Sequence, residues 1–160
     1  MTTATVEPDP DRTARLRIGE AAAQAGMSTR TLRYYQELGL LTPTATTAGG
    51  ARRYSDADVA RLHRIRHLRE LVGFNLTEIG TVLTAEDRLA EIRREWLAGL
   101  PVERQHELLV EALALNADLQ AAVRAKMAGL QEFLAGLEER ASNIRRRIAE
   151  VDGAPLLTGA

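Results

Sequence analysis

Two clusters of arginine and tyrosine carry most of the chemistry this 160-residue sequence offers. The first is Arg30, Thr31, Arg33, Tyr34 and Tyr35; the second is Arg52-Arg53-Tyr54. An arginine fork matches a guanine edge or a phosphate, and hydroxyl groups donate to phosphate oxygens. Double-stranded DNA is the partner these groups suit. Arg30 and Arg33, three residues apart, share one helix face, and Arg30 is the leading candidate for a base-edge or phosphate contact. Arg33, Tyr34 and Tyr35 are consecutive, so they cannot all face the same way; Tyr35 is as readily a core residue. Arg52 and Arg53 suit backbone clamping, with Tyr54 either a phosphate donor or a packing residue. Arg61 and Arg64, again three apart, either reach the DNA backbone or form a solvated face.

Other chemistries find no support. The sequence has no cysteine, which excludes disulfides, thiolate metal sites, iron–sulfur clusters and thiol redox sensing. His63 and His67, four apart, could share a metal in principle, but a surface or partly packed pair is the expected reading, and His106 stands alone. No nucleophile elbow, phosphate-cradling glycine loop or paired-carboxylate site is present, so neither catalysis nor a cofactor or metal is expected.

The elements that must position the two clusters are legible from their punctuation. Ile18 to Gly26 reads as a short amphipathic helix closed by a glycine turn. Ser28 then caps a second helix that ends at Gly39. A short glycine-bearing turn between two small helices lets the second project into a groove. Thr42 to Tyr54 is rich in turn formers and reads as a β-ribbon with a flexible tip at Gly49-Gly50. Ser55 caps a third helix running to about Leu71, with Val59, Leu62, Ile65 and Leu68 at helical spacing. Gly73 ends it, Phe74 is a core plug, and Leu76 to Leu83 forms one more short helix.

Charge divides along the same line. The net charge is −1, but residues 11–75 hold 11 arginines against 6 acids, a net of +5. Residues 76–160 hold 10 basic residues against 14 acids, a net of −4. Such asymmetry points to nucleic-acid contact by the basic half. Residues 1–13 contain no apolar run and no stretch reaches transmembrane length, so a cytoplasmic protein without a membrane partner is expected.

Beyond residue 84 the sequence is helical and less regular until Gly99-Leu100-Pro101 interrupts it. Leu89, Ile92, Trp96 and Leu100 could line a small apolar effector pocket, although core packing is the simpler job for them. The last third is the most periodic. Val123, Met127, Leu130, Leu134, Leu137, Ala141, Ile144, Ile148 and Val151 are spaced alternately four and three. A heptad seam this narrow requires a partner helix, either within the chain or, preferentially, on a second copy. Glu138, Ser142 and Arg145 match part of a helical cyclic-dinucleotide motif, but Ala149 and Gly153 lack the polar groups to complete it. Arg145-Arg146-Arg147 reads as an exposed helix face.

The blocks Ile18-Gly19-Glu20, Thr31-Leu32-Arg33-Tyr34-Tyr35, Gly39-Leu40-Leu41-Thr42-Pro43, Arg52-Arg53-Tyr54-Ser55 and Gly73-Phe74-Asn75-Leu76, in this order and spacing, resemble the MerR family of bacterial transcription regulators. The resemblance covers Leu16 to about Leu83. It implies a winged helix-turn-helix dimer seated on a near-palindromic promoter element, bending and untwisting the spacer so that RNA polymerase can use it. It also implies that Arg33 and Tyr34 turn toward DNA, with Tyr35 nearer the wing, and that the terminal helix pairs antiparallel with its copy. Ala51 stands where the family usually carries an aromatic residue, which predicts a mobile wing.

The fold expected is mainly α. A tail over residues 1–15 precedes a winged helix-turn-helix over 16–83 with a small β-ribbon wing. A helical linker or sensor region over 84–118, a coiled-coil dimerisation helix over 119–152 and a tail over 153–160 follow. The function expected is a homodimeric, sequence-specific transcription regulator. An architectural or excisionase-like DNA-binding protein, or a ligand-binding protein with its site in the middle helices, are the alternatives. The effector is unassigned: none, a ligand held by the middle helices, or a partner protein.

Overall fold

The computed structural model describes residues 14–153, in two compact units that divide after Glu95. In the first unit, helix α1 (Ile18–Ala25) is followed by helix α2 (Thr29–Glu37), strands β1 (Ala45–Thr46) and β2 (Arg52–Arg53), and helix α3 (Asp56–Glu70). Helix α4 (Leu76–Leu97) runs to the end of that unit and two residues past it, and the second unit is built on the 52-residue helix α5 (Val102–Gly153). Of the two expected tails, residues 1–13 and 154–160 lie outside the described residues. Ala14 is buried and Arg15 pairs with Asp56 at 3.1 Å, so the packed unit begins before Leu16.

The helix-turn-helix is built by local chemistry. Gly26 adopts φ 67°, and the N–H groups of Gly26 and Met27 return to the carbonyls of Ala23 and Ala22 at 3.1 and 2.9 Å. That left-handed turn suits glycine. It is also crowded, because a Cβ on Gly26 would stand 2.7 Å from Arg66 Nη1. Ser28 Oγ then accepts from Thr31 N at 3.0 Å and starts α2.

Helix α1 presents only alanines inward, Ala21, Ala22 and Ala25, so it packs closely on α2 and α3. Leu32 of α2, Leu62 and Ile65 of α3 and Ile79 of α4 are fully buried, and Leu40, Leu41 and Phe74 join them in the core. Truncating a leucine in such a core costs about 2–5 kcal/mol.

The wing is a two-stranded antiparallel ribbon with Ala45 opposite Arg53 and Thr46 opposite Arg52. A β-bridge between Leu16 and Tyr54, with both N–H···O distances 3.0 Å, ties the ribbon to the start of the unit. At the ribbon's base the buried Asp58 carboxylate accepts from Thr44 N, Thr44 Oγ1 and Ser55 N at 3.2, 2.6 and 2.9 Å. One side chain thus completes the cap of α3 and pins the wing. The tip is a closed turn: Thr47 N donates to Ala51 O at 2.9 Å and Ala51 N to Thr47 Oγ1 at 3.1 Å.

Two helix boundaries differ from the sequence reading. Helix α4 runs without a break through residues 83–84, and α5 runs through 118–119. Neither point carries proline, and Thr81 and Thr84 return their hydroxyls to the carbonyls of Thr77 and Gly80 within the helix. The chain does break at Gly99-Leu100-Pro101, where the sequence places an interruption, and Gly99 takes φ 82°. Along α5 the seam residues are open to solvent, Leu130 to 60% and Leu137 to 42%. Among the described residues, no helix is long and apolar enough to cross a membrane.

Candidate nucleic-acid interface

Helix α2 has two faces. Leu32 and Tyr35 point into the core, while Arg30, Arg33 and Tyr34 are exposed. Thr31 is half-buried at the capping turn, where its hydroxyl lies 2.9 Å from Ser28 Oγ. On the wing, Arg52 is exposed and Arg53 half-buried.

Arg33, Arg52 and Arg53 converge, whereas Arg30, Thr31 and Tyr34 do not line the same cleft. A cleft of about 670 Å³ between helix and wing is lined by Arg17, Arg33, Arg52 and Arg53, with Tyr54 at its base. Among the described residues, no ion pair engages Arg17, Arg30, Arg33, Arg52 or Arg53. Unneutralised guanidinium groups around a concave surface create a positive potential that draws and orients phosphate.

The other arginines read from the sequence sit differently. Arg61 donates from Nε to Leu40 O at 2.6 Å and from Nη1 to Asp87 at 2.7 Å. Arg64 meets Glu86 at 2.5 Å, and that hydrogen bond holds its pKa above the ordinary arginine value. Both tie α3 to α4. Their forks are occupied inside the unit, and the structure does not bring them to the cleft.

Two tyrosines read as DNA contacts lie in the core. Tyr35 falls one turn after Leu32 on the inward stripe of α2, and its hydroxyl accepts from Arg69 Nη1 at 3.2 Å. That hydrogen bond raises the pKa of Arg69. Tyr54 is fully buried because its backbone pairs with Leu16 and its side chain turns under α2, where the hydroxyl accepts from Gln36 Nε2 at 2.8 Å. Tyr34, at 48% exposure, remains available.

The remaining candidates are scattered. His63 lies 3.2 Å from Arg66 through Nδ1, and among the described residues no group of three or more His, Asp or Glu side chains could hold a metal. Ile92 is buried and Leu89 half-buried in the first unit; Trp96 and Leu100 belong to the second, with Trp96 41% exposed.

Sequence reasoning overlooked Arg17 and Gln36 in this region. Arg17 precedes α1, and a basic residue before a helix gives no signal of its own. Gln36 lies one turn beyond Arg33 on α2, which places it toward the same side; its partners on the wing are 16 and 18 residues away and carry no local mark.

Residues 16–86 match the family described as MerR HTH family regulatory protein. The HTH-type transcriptional activator TipA of Streptomyces coelicolor is 40% identical over 110 residues, covering 69% of this chain and 40% of TipA. The HTH-type transcriptional regulator YfmP of Bacillus subtilis is 28% identical over 138 residues, covering 86% of this chain and 98% of YfmP. Among solved structures, the N-terminus of MtaN, the Bacillus subtilis multidrug transporter activator, superposes with a TM-score of 0.54 at 28% identity, covering 84% of this chain and 98% of that one. This chain therefore spans less than half the length of TipA and nearly all of YfmP.

Proposed function

Since this chain belongs, through residues 16–86, to the MerR family of HTH regulatory proteins, we propose that it regulates transcription as a homodimer bound to a near-palindromic promoter element. The observation that carries the reading is the cleft between α2 and the wing, where Arg17, Arg33, Arg52 and Arg53 gather without a carboxylate partner among the described residues. Helix α2 enters the major groove with Arg30, Arg33 and Tyr34 outward, and the wing arginines hold the flanking backbone. Buried Tyr35 and Tyr54 serve as the packing beneath that surface.

The homodimer reading rests on α5. Its seam of Val123, Met127, Leu130, Leu134, Leu137, Ile144 and Ile148 is exposed by 42–60% in the single chain. Heptad spacing over this length suits a second copy, and pairing two DNA-binding units fixes the separation of two half-sites. Bending and untwisting the spacer between them, at a deformation cost of about 1–10 kcal/mol offset by contacts, would present the promoter to RNA polymerase. The cytoplasm is the compartment this role requires.

Selection of duplexes from a randomised pool, followed by fluorescence anisotropy on the selected and a scrambled duplex, tests the reading. One enriched palindrome bound far more tightly than the scrambled duplex is the expected result. Equal and steeply salt-dependent binding to both would replace it with architectural coating of DNA. Leu137→Asp should leave the first unit folded and give a monomer in sedimentation; a full dimer would remove the seam from the interface.

A further inference from the structure

Gln36 joins α2 to the wing through both ends of its amide. Its Nε2 donates to Tyr54 Oη at 2.8 Å, and its Oε1 accepts from Arg52 Nη1 at 2.6 Å. Tyr54 is fully buried, so its hydroxyl is a fixed point at the base of the wing. Donation to that hydroxyl orients the amide, leaving the carbonyl oxygen to face Arg52.

The choice of an amide matters. Glu86 restrains Arg64 with a carboxylate and neutralises it in doing so. Gln36 restrains Arg52 with a neutral acceptor, so the guanidinium keeps its full charge and its remaining N–H groups for another acceptor. Arg52 lies on an exposed two-residue strand, where a long side chain would otherwise sample many rotamers and lose that freedom on binding.

We infer that Gln36 is a positioning residue that holds the wing's Arg52 ready for a DNA phosphate, with Tyr54 as its anchor. The inference rests on the DNA-binding reading above and adds to it a residue that touches no nucleic acid itself. It makes the wing and α2 one preorganised surface, because displacing the amide releases both hydrogen bonds that run from α2 to the wing.

The test has a part that needs no DNA. In the free protein, NMR relaxation of the Arg52 side-chain N–H group should show restraint that Gln36→Ala removes, the order parameter falling below ~0.6. Gln36→Glu should keep Arg52 restrained through a carboxylate acceptor. On the duplex selected by the wild-type protein, Gln36→Ala should weaken binding about two- to tenfold, the range of one net hydrogen bond. In an Arg52→Ala background the same change should weaken binding less than about twofold, since coupled residues are not additive. Gln36→Glu should also weaken binding despite the ordered arginine, because its carboxylate competes with phosphate. Unchanged Arg52 order in Gln36→Ala, or equal affinity losses in both backgrounds, would overturn the inference. A wild-type protein that selects no duplex would overturn the DNA-binding reading instead, and the relaxation measurement would still decide the role of Gln36.

Discussion

The first unit carries two sets of arginines with opposite fates. Those around α2 and the wing, Arg17, Arg30, Arg33, Arg52 and Arg53, have no carboxylate partner among the described residues. Those of α3 are committed: Arg61 to Asp87 and Leu40, Arg64 to Glu86, Arg66 to the Ala25 carbonyl at 2.8 Å, and Arg69 to Tyr35. Arginine content alone therefore does not mark an interface. One set stabilises the scaffold by satisfying carbonyls and pairing with acids; the other keeps its charge available, with Arg52 held by the neutral amide of Gln36.

Substitution separates the two sets, and the largest effect belongs to the open one. Arg33→Ala should cost about 1–3 kcal/mol on the selected duplex if Arg33 reads a base, with the melting midpoint unchanged. Unaltered affinity would remove Arg33 from the interface. Arg66→Ala should act in the reverse sense, reducing stability by about 1 kcal/mol because the Ala25 carbonyl at the helix-turn-helix corner is deprived of its donor. Denaturant unfolding measures it, and a variant as stable as the wild type would show that water replaces the guanidinium without loss.

Smaller still is Arg64→Ala. Its partner Glu86 is partly exposed, so the pair contributes only about 0.2–1 kcal/mol. Affinity for the selected duplex should stay within about twofold, well under the cost of one good bidentate base contact. A drop in affinity of about tenfold, the size of a base contact, would mean that Arg64 leaves Glu86 for a phosphate, and the division between the two sets would fail.

Much of this arrangement is legible in the sequence where local chemistry fixes it. Gly26, Ser28, Gly39, Ser55 and Gly73 punctuate α1, α2 and α3 through caps and left-handed turns, which depend on neighbours a few residues away. The location of the wing follows from the same pattern, whereas the outward turn of Arg33 and Tyr34 is legible through the family resemblance of the surrounding blocks. What escapes is long-range. Apart from His63 beside Arg66, the partners of Arg61, Arg64, Arg66 and Arg69 lie 21–41 residues away in sequence, so four arginines on one helix look like a basic face until the fold brings acids, carbonyls and a phenol to them. Tyr35 and Tyr54 escape for a related reason: an amphipathic tyrosine serves a wet surface or a core with a polar neighbour equally well, and only packing against Arg69 and Gln36 decides between them. The continuity of α4 past residue 83 is hidden because its apolar spacing weakens there while no breaker is present.

Salt dependence of DNA binding, measured for two matched variants, probes the division between the arginine sets at its root. Arg33→Ala/Arg52→Ala/Arg53→Ala should flatten the slope of log affinity against log salt by about 0.9 for each phosphate the variant no longer neutralises, whereas Arg61→Ala/Arg64→Ala should leave the wild-type slope intact. A flattened slope in the α3 variant with an unchanged slope in the α2–wing variant would refute the division and move the nucleic-acid face to α3.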